Sequence, residues 1–150
     1  MSYRDSASFG KRQEYVVVAE LLKRGFDVYM TLVDDQGIDC VIRIDDQTYI
    51  DFQIKARANT AKQWNFFAAM TITPKDNYLF IFYMEKNNAL WVMPSRDVVK
   101  RAITNKNGKN AVKHSLTLPK SESTDKAVEF SKYKGEAGFE LLRKFRAIAS

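Results

Sequence analysis

The sequence predicts an α/β (α+β) protein: a helix, an antiparallel three-stranded meander, then further strands in a mixed central sheet flanked by helices. Three observations lead there. Tyr15, Val18, Ala19 and Leu22 recur at helical spacing. Two stretches, Ile38–Ile44 and Thr48–Arg57, alternate apolar and polar residues with the period of a strand. Tyr78-Leu79-Phe80-Ile81-Phe82-Tyr83 is apolar throughout, the mark of a central strand buried on both faces.

In chain order, the first helix runs from about Ser8 to Arg24, with Ser6 or Ser8 as cap and Gly25 as the left-handed residue that ends it. Phe26 to Val33 reads as a strand, and Asp34-Asp35-Gln36-Gly37 as a turn. In the next strand Ile38, Cys40, Ile42 and Ile44 share the core face. A three-residue turn, Asp45-Asp46-Gln47, leads into Thr48–Arg57, whose core face carries Ile50, Phe52 and Ile54. Residues 58–73 fit a helix or a strand. After the apolar strand, Lys86-Asn87-Asn88 turns into a short strand, Ala89–Met93, and Pro94-Ser95 opens a helix to about Thr104. A polar loop, Asn105–Asn110, precedes a short strand, Lys113–Leu118. Residues 119–134 read as loop, and Gly135–Ile148 as a closing helix with Phe139, Leu142, Phe145 and Ile148 on one face.

At 150 residues, 45% hydrophobic and 28% charged, the chain is one domain, 1–150, with enough apolar matter for a core. No segment approaches the roughly 18–20 apolar residues of a bilayer span, and the N-terminus lacks a secretory pattern. One cysteine and one histidine exclude an internal disulfide, a zinc cluster and any two-histidine site. A cytoplasmic protein, acting at the nucleoid, is expected. Its charge is uneven: residues 1–99 carry 12 basic and 13 acidic groups, a net of −1, whereas 100–150 carry 12 and 5, a net of +7. Basic charge gathered in one third suggests a polyanion such as nucleic acid, against the plainer reading of a solvated surface. Lys100, Arg101, Lys106, Lys109 and Lys113 form the candidate phosphate-contacting group there, with Arg57 added from the third strand.

Strand parity makes a chemical claim. Residues opposite one another in an antiparallel pair point to one face. If Ile44 pairs with Thr48, the same register sets Asp39 opposite Gln53, with Lys55 two residues along on that face. A carboxylate, an amide oxygen and an ammonium then converge. Mg²⁺ takes such oxygen ligands and keeps waters for a phosphate: Asp39 as the charged ligand, Gln53 as the carboxamide, the Ile54 carbonyl as a third. Lys55 would stabilise charge at a scissile phosphate. Glu14, at the border of the helical stripe, is the further carboxylate expected to reach inward, whereas Glu20 should face water. Plainer readings stand beside these. Asp39 could pair with Arg43 on a solvated face, and Asp51 shares the Gln53 face as a neighbour or substitute ligand.

From about Gly10 to Arg57 these residues resemble the PD-(D/E)XK nuclease superfamily, which includes restriction endonucleases, junction resolvases and some homing endonucleases. The shared features are a helix with Glu14, a strand, a strand with Ile38-Asp39 and a strand with Gln53-Ile54-Lys55. The resemblance implies a restriction endonuclease-like core with Asp39, Gln53 and Lys55 in the motif positions and Glu14 as the first-helix glutamate. Ile38 stands where the motif has proline, and Gln53 where it has a second acid, which removes a negative charge from the metal site. The implied activity is Mg²⁺-dependent cleavage of double-stranded DNA, with Mn²⁺ as a substitute, by a site-specific enzyme of homing or restriction type. The alternatives are a structure-specific junction resolvase and a non-catalytic DNA-binding module that kept the fold. So small a chain needs a homodimer or homotetramer to cut both strands.

Overall fold

The computed structural model describes residues 2–33 and 36–145. The chain runs α1 (Tyr3–Lys23), β1 (Asp27–Met30), β2 (Cys40–Asp45), β3 (Thr48–Arg57), β4 (Phe66–Met70), β5 (Tyr78–Met84), β6 (Ala89–Pro94), α2 (Ser95–Arg101), β7 (Ile103–Thr104), β8 (His114–Thr117), α3 (Asp125–Phe130) and α4 (Glu136–Arg143). A five-stranded sheet has the order β1-β2-β3-β5-β6, and a three-stranded sheet the order β4-β8-β7. β1, β2 and β3 form the antiparallel meander, β5 joins β3 in parallel, and β6 returns antiparallel to β5. The result is a mixed α+β architecture around a mixed central sheet.

Side-chain alternation divides the core by sheet face. Ile42, Ile50, Phe52, Ile54, Leu79, Ile81 and Val92 pack against Val17, Val18 and Leu21 of α1 and Phe139 and Leu142 of α4. On the other face Phe80, Phe82, Met84, Trp91 and Met93 pack against Phe67 of β4, Leu116 of β8 and Phe130 of α3. Every residue of β5 is buried, as its unbroken apolar run requires.

The first helix begins five residues earlier than the sequence indicates. Ser2, rather than Ser6 or Ser8, is the cap: its Oγ accepts the Asp5 N–H at 3.1 Å, and the Asp5 carboxylate accepts the Ser2 N–H in return. Its buried stripe is also rotated. Tyr15 and Leu22 are 57% and 55% exposed, while Gln13, Val17, Val18 and Leu21 are buried. Both stripes satisfy the 3.6-residue period, and only the sheet beneath the helix chooses between them. The rotation favours Glu14, which now stands in series with Val17, Val18 and Leu21 at i, i+3, i+4, i+7. Glu20 is partly buried rather than free in water, pairing with Lys23 and Arg24. Gly25 ends the helix at φ +81°, as expected.

Elsewhere the ambiguous segment 58–73 supplies β4, a strand. The helix after Pro94 stops at Arg101, because Ile103–Thr104 pairs with β8. The supposed loop 119–134 contains α3, capped by the Thr124 hydroxyl on the Ala127 N–H. In the closing helix Phe139, Leu142 and Phe145 are buried. Ile148 lies outside the described residues, as do Asp34 and Asp35 of the expected turn.

Candidate active site

The β2–β3 hairpin sets the register on which the site depends. Cys40, Val41, Ile42 and Arg43 pair with Phe52, Asp51, Ile50 and Tyr49, so that continuation of the same register brings Asp39 opposite Gln53. At the turn itself the chain departs from expectation. Asp45 Oδ1 accepts the Gln47 N–H at 2.8 Å, which tightens the turn to two residues, pairs Asp45 with Thr48 and leaves Ile44 as a bulge. The bulge absorbs the difference, and parity beyond it is intact.

Asp39 lies just before β2 and is 6% exposed. Its N–H donates to the Phe52 carbonyl at 2.8 Å, and its carboxylate Oδ2 accepts the Ile54 N–H at 2.7 Å. The side chain is thereby tied to the backbone between Gln53 and Lys55, and the pairing with Arg43 does not form. Arg43 instead pairs with Asp46. Gln53 is half-buried. Its Oε1 accepts from the Tyr78 hydroxyl at 3.1 Å, and the same hydroxyl lies 2.9 Å from the Gly37 carbonyl. Gly37 is at φ +68°, and a Cβ there would stand 3.4 Å from both Gln53 Nε2 and Tyr78 Oη. That contact is an ordinary one for a Cβ, so glycine is called for here by the backbone conformation.

Gln53 and Lys55 share a wall of a cleft of about 600 Å³, together with Gly37, Asp51, Thr73 and Lys75. Asp39 and Glu14 are not on that wall. Asp39 joins it through the Ile54 amide. Glu14 accepts a hydrogen bond from Lys11 Nζ at 2.8 Å, and its side chain is only 15% exposed. The Lys11 ammonium is held above its usual range mainly by Glu14, with a smaller contribution from Asp39. The buried Cys40 thiol is pushed up to about 12, first by burial and then by the charges of Asp39 and Glu14. Carboxylates from α1 and from the start of β2 thus act on one small region. Among the described residues no three His, Cys, Asp or Glu side chains gather as a metal-binding group, so a cation here would need the carboxamide and backbone oxygens that β3 offers. Such an all-oxygen set suits Mg²⁺.

The basic residues behave differently from one another. Arg57 Nε and Nη2 donate to the Gln63 carbonyl at 3.2 and 3.1 Å. Arg101 is built into the fold: its guanidinium lies over the Phe130 and Tyr133 rings, donates to Tyr133 Oη at 3.2 Å and pairs with Glu129. Lys100 is exposed on α2, and Lys106 and Lys109 are exposed in the loop joining β7 to β8. Lys113 is half-buried, its carbonyl accepting the Asn105 N–H at 2.8 Å to close that loop. Because Met70 pairs with His114, the loop projects at the end of β4 that borders the cleft. Sequence reasoning missed Lys11, Tyr78 as a partner of Gln53, and the cleft residues Thr71, Thr73 and Lys75. Of these only Lys11, three residues before Glu14, had a signal at short range.

No family model matches the chain, and no curated protein matches it in sequence. Among solved structures it is similar to a bacterial homing endonuclease, I-Ssp6803I, with a TM-score of 0.65 and 18% identity over 94% of this chain and 95% of that one. The two chains share a fold. The helix, antiparallel meander and mixed sheet of this chain fit a restriction endonuclease-like core. No helix among the described residues is long and apolar enough to cross a membrane.

Proposed function

We propose that this chain is a Mg²⁺-dependent endonuclease that cuts double-stranded DNA at a specific site, of the homing type, with a PD-(D/E)XK-like site in which Gln53 replaces the second acid. The observation that carries the reading is the buried Asp39 carboxylate pinned by the Ile54 N–H, beside Gln53 and Lys55 on the polar face of β3. The fold shared with a homing endonuclease supports it.

In this reading Asp39, the Gln53 carboxamide and the Ile54 carbonyl hold the metal, with Glu14 as the additional carboxylate. The bound Mg²⁺ supplies Lewis acidity to a phosphoryl oxygen and a water of lowered pKa. The chain's residues do the rest. Asp39 keeps its place because the strand amide fixes it, so no rotamer search precedes reaction. The Tyr78 hydroxyl orients the Gln53 amide. Lys55 sets a positive charge against the non-bridging oxygens where charge develops. Exposed Lys100, Lys106 and Lys109 hold the duplex backbone. One such site cuts one strand, so a double-strand break requires a homodimer or homotetramer. Mn²⁺, also an oxygen-seeking cation, substitutes for Mg²⁺.

Incubation with plasmid libraries and with four-way junctions, in Mg²⁺ or in EDTA, tests the proposal. Metal-dependent cuts at a recurring duplex sequence support it. Preferential cutting of junctions would transfer the site to a resolvase. Binding without any cutting in Mg²⁺ or Mn²⁺ would leave a DNA-binding module that kept the fold.

A further inference from the structure

The strand β4 does not end cleanly. Ala69 has a left-handed backbone, φ +55°, in the irregular stretch between Phe67 and Met70, and the chain then leaves the sheet along the cleft. Such a conformation is costly for a non-glycine residue and persists where its surroundings hold it. Here the Ala69 N–H donates to the Ser115 hydroxyl at 3.2 Å, and Ser115 is itself buried. From Thr71 to Lys75 exposure alternates: Thr71, Thr73 and Lys75 are exposed, Ile72 is buried in the core, and Pro74 lies between. Thr71, Thr73 and Lys75 all line the cleft, across from Gln53 and Lys55.

The far end of this segment is clamped. The buried hydroxyl of Ser95 accepts the Lys75 N–H at 3.0 Å and donates to the Lys75 carbonyl at 2.9 Å. Two hydroxyls and an ammonium are therefore presented in a row on a segment fixed at Ala69, Ile72 and Lys75, a set of donors with no acceptor charge among them. Lys75 acts electrostatically on Asp51. At about 3.3 Å per residue of strand, Asp51 and Lys55 are about 13 Å apart along β3.

We propose that Thr71, Thr73 and Lys75 form a ledge that binds the sugar–phosphate backbone of the strand being cut, next to the phosphate that Lys55 faces. This deepens the endonuclease reading and rests on it. Hydroxyl and ammonium donors are the groups that contact phosphate oxygens without reading sequence. Asp51 lines the same cleft beside the ledge.

The test is binding rather than cleavage. The affinity of the full chain for several fluorescent duplexes of unrelated sequence is measured in EDTA across a range of KCl. Lys75→Ala should weaken every duplex alike and make the log-affinity against log-salt slope shallower by about 0.9. Lys75→Arg should restore both, and Lys62→Ala, an exposed lysine outside the cleft wall, should change neither. Thr73→Val should weaken binding with the slope unchanged, because it removes a hydrogen bond and no charge. Wild-type affinity and slope for Lys75→Ala, with the parent protein binding DNA, would overturn the ledge and leave the endonuclease reading standing. A loss confined to one sequence would overturn it in favour of a base contact. A parent protein that binds no duplex at all would overturn both readings together.

Discussion

Asp39 shows how one residue can serve two levels of structure. Its carboxylate takes a strand amide that would otherwise need a ladder partner, so the group that holds the hairpin end together is also the charged member of the candidate site. Gln53 is the residue where the chemistry is weakest, because a carboxamide attracts a divalent cation less than a carboxylate does. Gln53→Glu should therefore lower the Mg²⁺ concentration for half-maximal cleavage several-fold, with Tyr78 still donating to the new side chain; a midpoint that stays fixed or rises would remove residue 53 from the metal's surroundings. Cys40 offers a check that needs no DNA. Its folded-state thiol, pushed up to about 12, stands above the unfolded value of about 8.5. Its contribution to stability is full below the unfolded value and is lost as pH climbs toward 12. Tyr133, also raised to about 12 by burial and by its hydrogen bond to Asp97, acts in the same direction. At about pH 8 a disulfide reagent should leave the native thiol unmodified and react with it once urea unfolds the chain, and the melting temperature should fall steadily above about pH 9. Rapid modification of the native protein would contradict the burial of Cys40.

Elements differ in how far their own residues determine them. The β2–β3 hairpin was legible because parity is a strict constraint: once Ile42 and Ile50 must share a face, Asp39 and Gln53 must share the other. β5 was legible because six apolar residues in a row, rich in aromatics and bounded by Asp76-Asn77 and Lys86-Asn87-Asn88, have the length and flanks of a strand covered on both sides. The first helix was legible as a helix and misread as to face, since Tyr15 and Leu22 satisfy the same periodicity as the residues that are buried. β4 and the ledge were not legible, because a bulge at Ala69 and a clamp from Ser95, twenty residues beyond Lys75, are long-range contacts without a local pattern. α4 illustrates a further case in which packing overrules propensity. Alanine in place of a mid-helix glycine normally gains about 1 kcal/mol. At Gly138, however, a Cβ would stand 2.3 Å from the Tyr133 carbonyl oxygen, in the turn before the helix, and 3.0 Å from Val92 Cβ of β6. Gly138→Ala should therefore destabilise the protein by about 2 kcal/mol, read as a lower urea midpoint with an unchanged slope. A higher midpoint would show that α4 can lift from β6 without cost.

For the molecule as a whole, the division of charge acquires a location. The near-neutral first 99 residues contain Glu14, Asp39 and Gln53, while the net +7 of the remainder includes the exposed lysines of α2 and of the β7–β8 loop. That loop projects at the end of β4 that borders the cleft, so under the proposed function its charge would face DNA held there. Not all of the charge is available, since Arg101 is spent on Phe130, Tyr133 and Glu129. Joint replacement of Lys106 and Lys109 by alanine should make the salt dependence of DNA binding shallower by about 2 units, with melting unaffected; an unchanged slope would take the loop out of the interface. The fold is similar to that of a bacterial homing endonuclease at 18% identity, a likeness of architecture alone. The most direct measurement is single-turnover cleavage of a bound DNA target in Mg²⁺ by the parent protein, Asp39→Asn and Lys55→Ala, at concentrations where all three are saturated. A metal site built on Asp39 and served by Lys55 requires that the parent cuts, that EDTA abolishes cutting, and that each variant binds DNA but cuts at least about a hundredfold more slowly. Variants that bind and cut at the parent rate would contradict it.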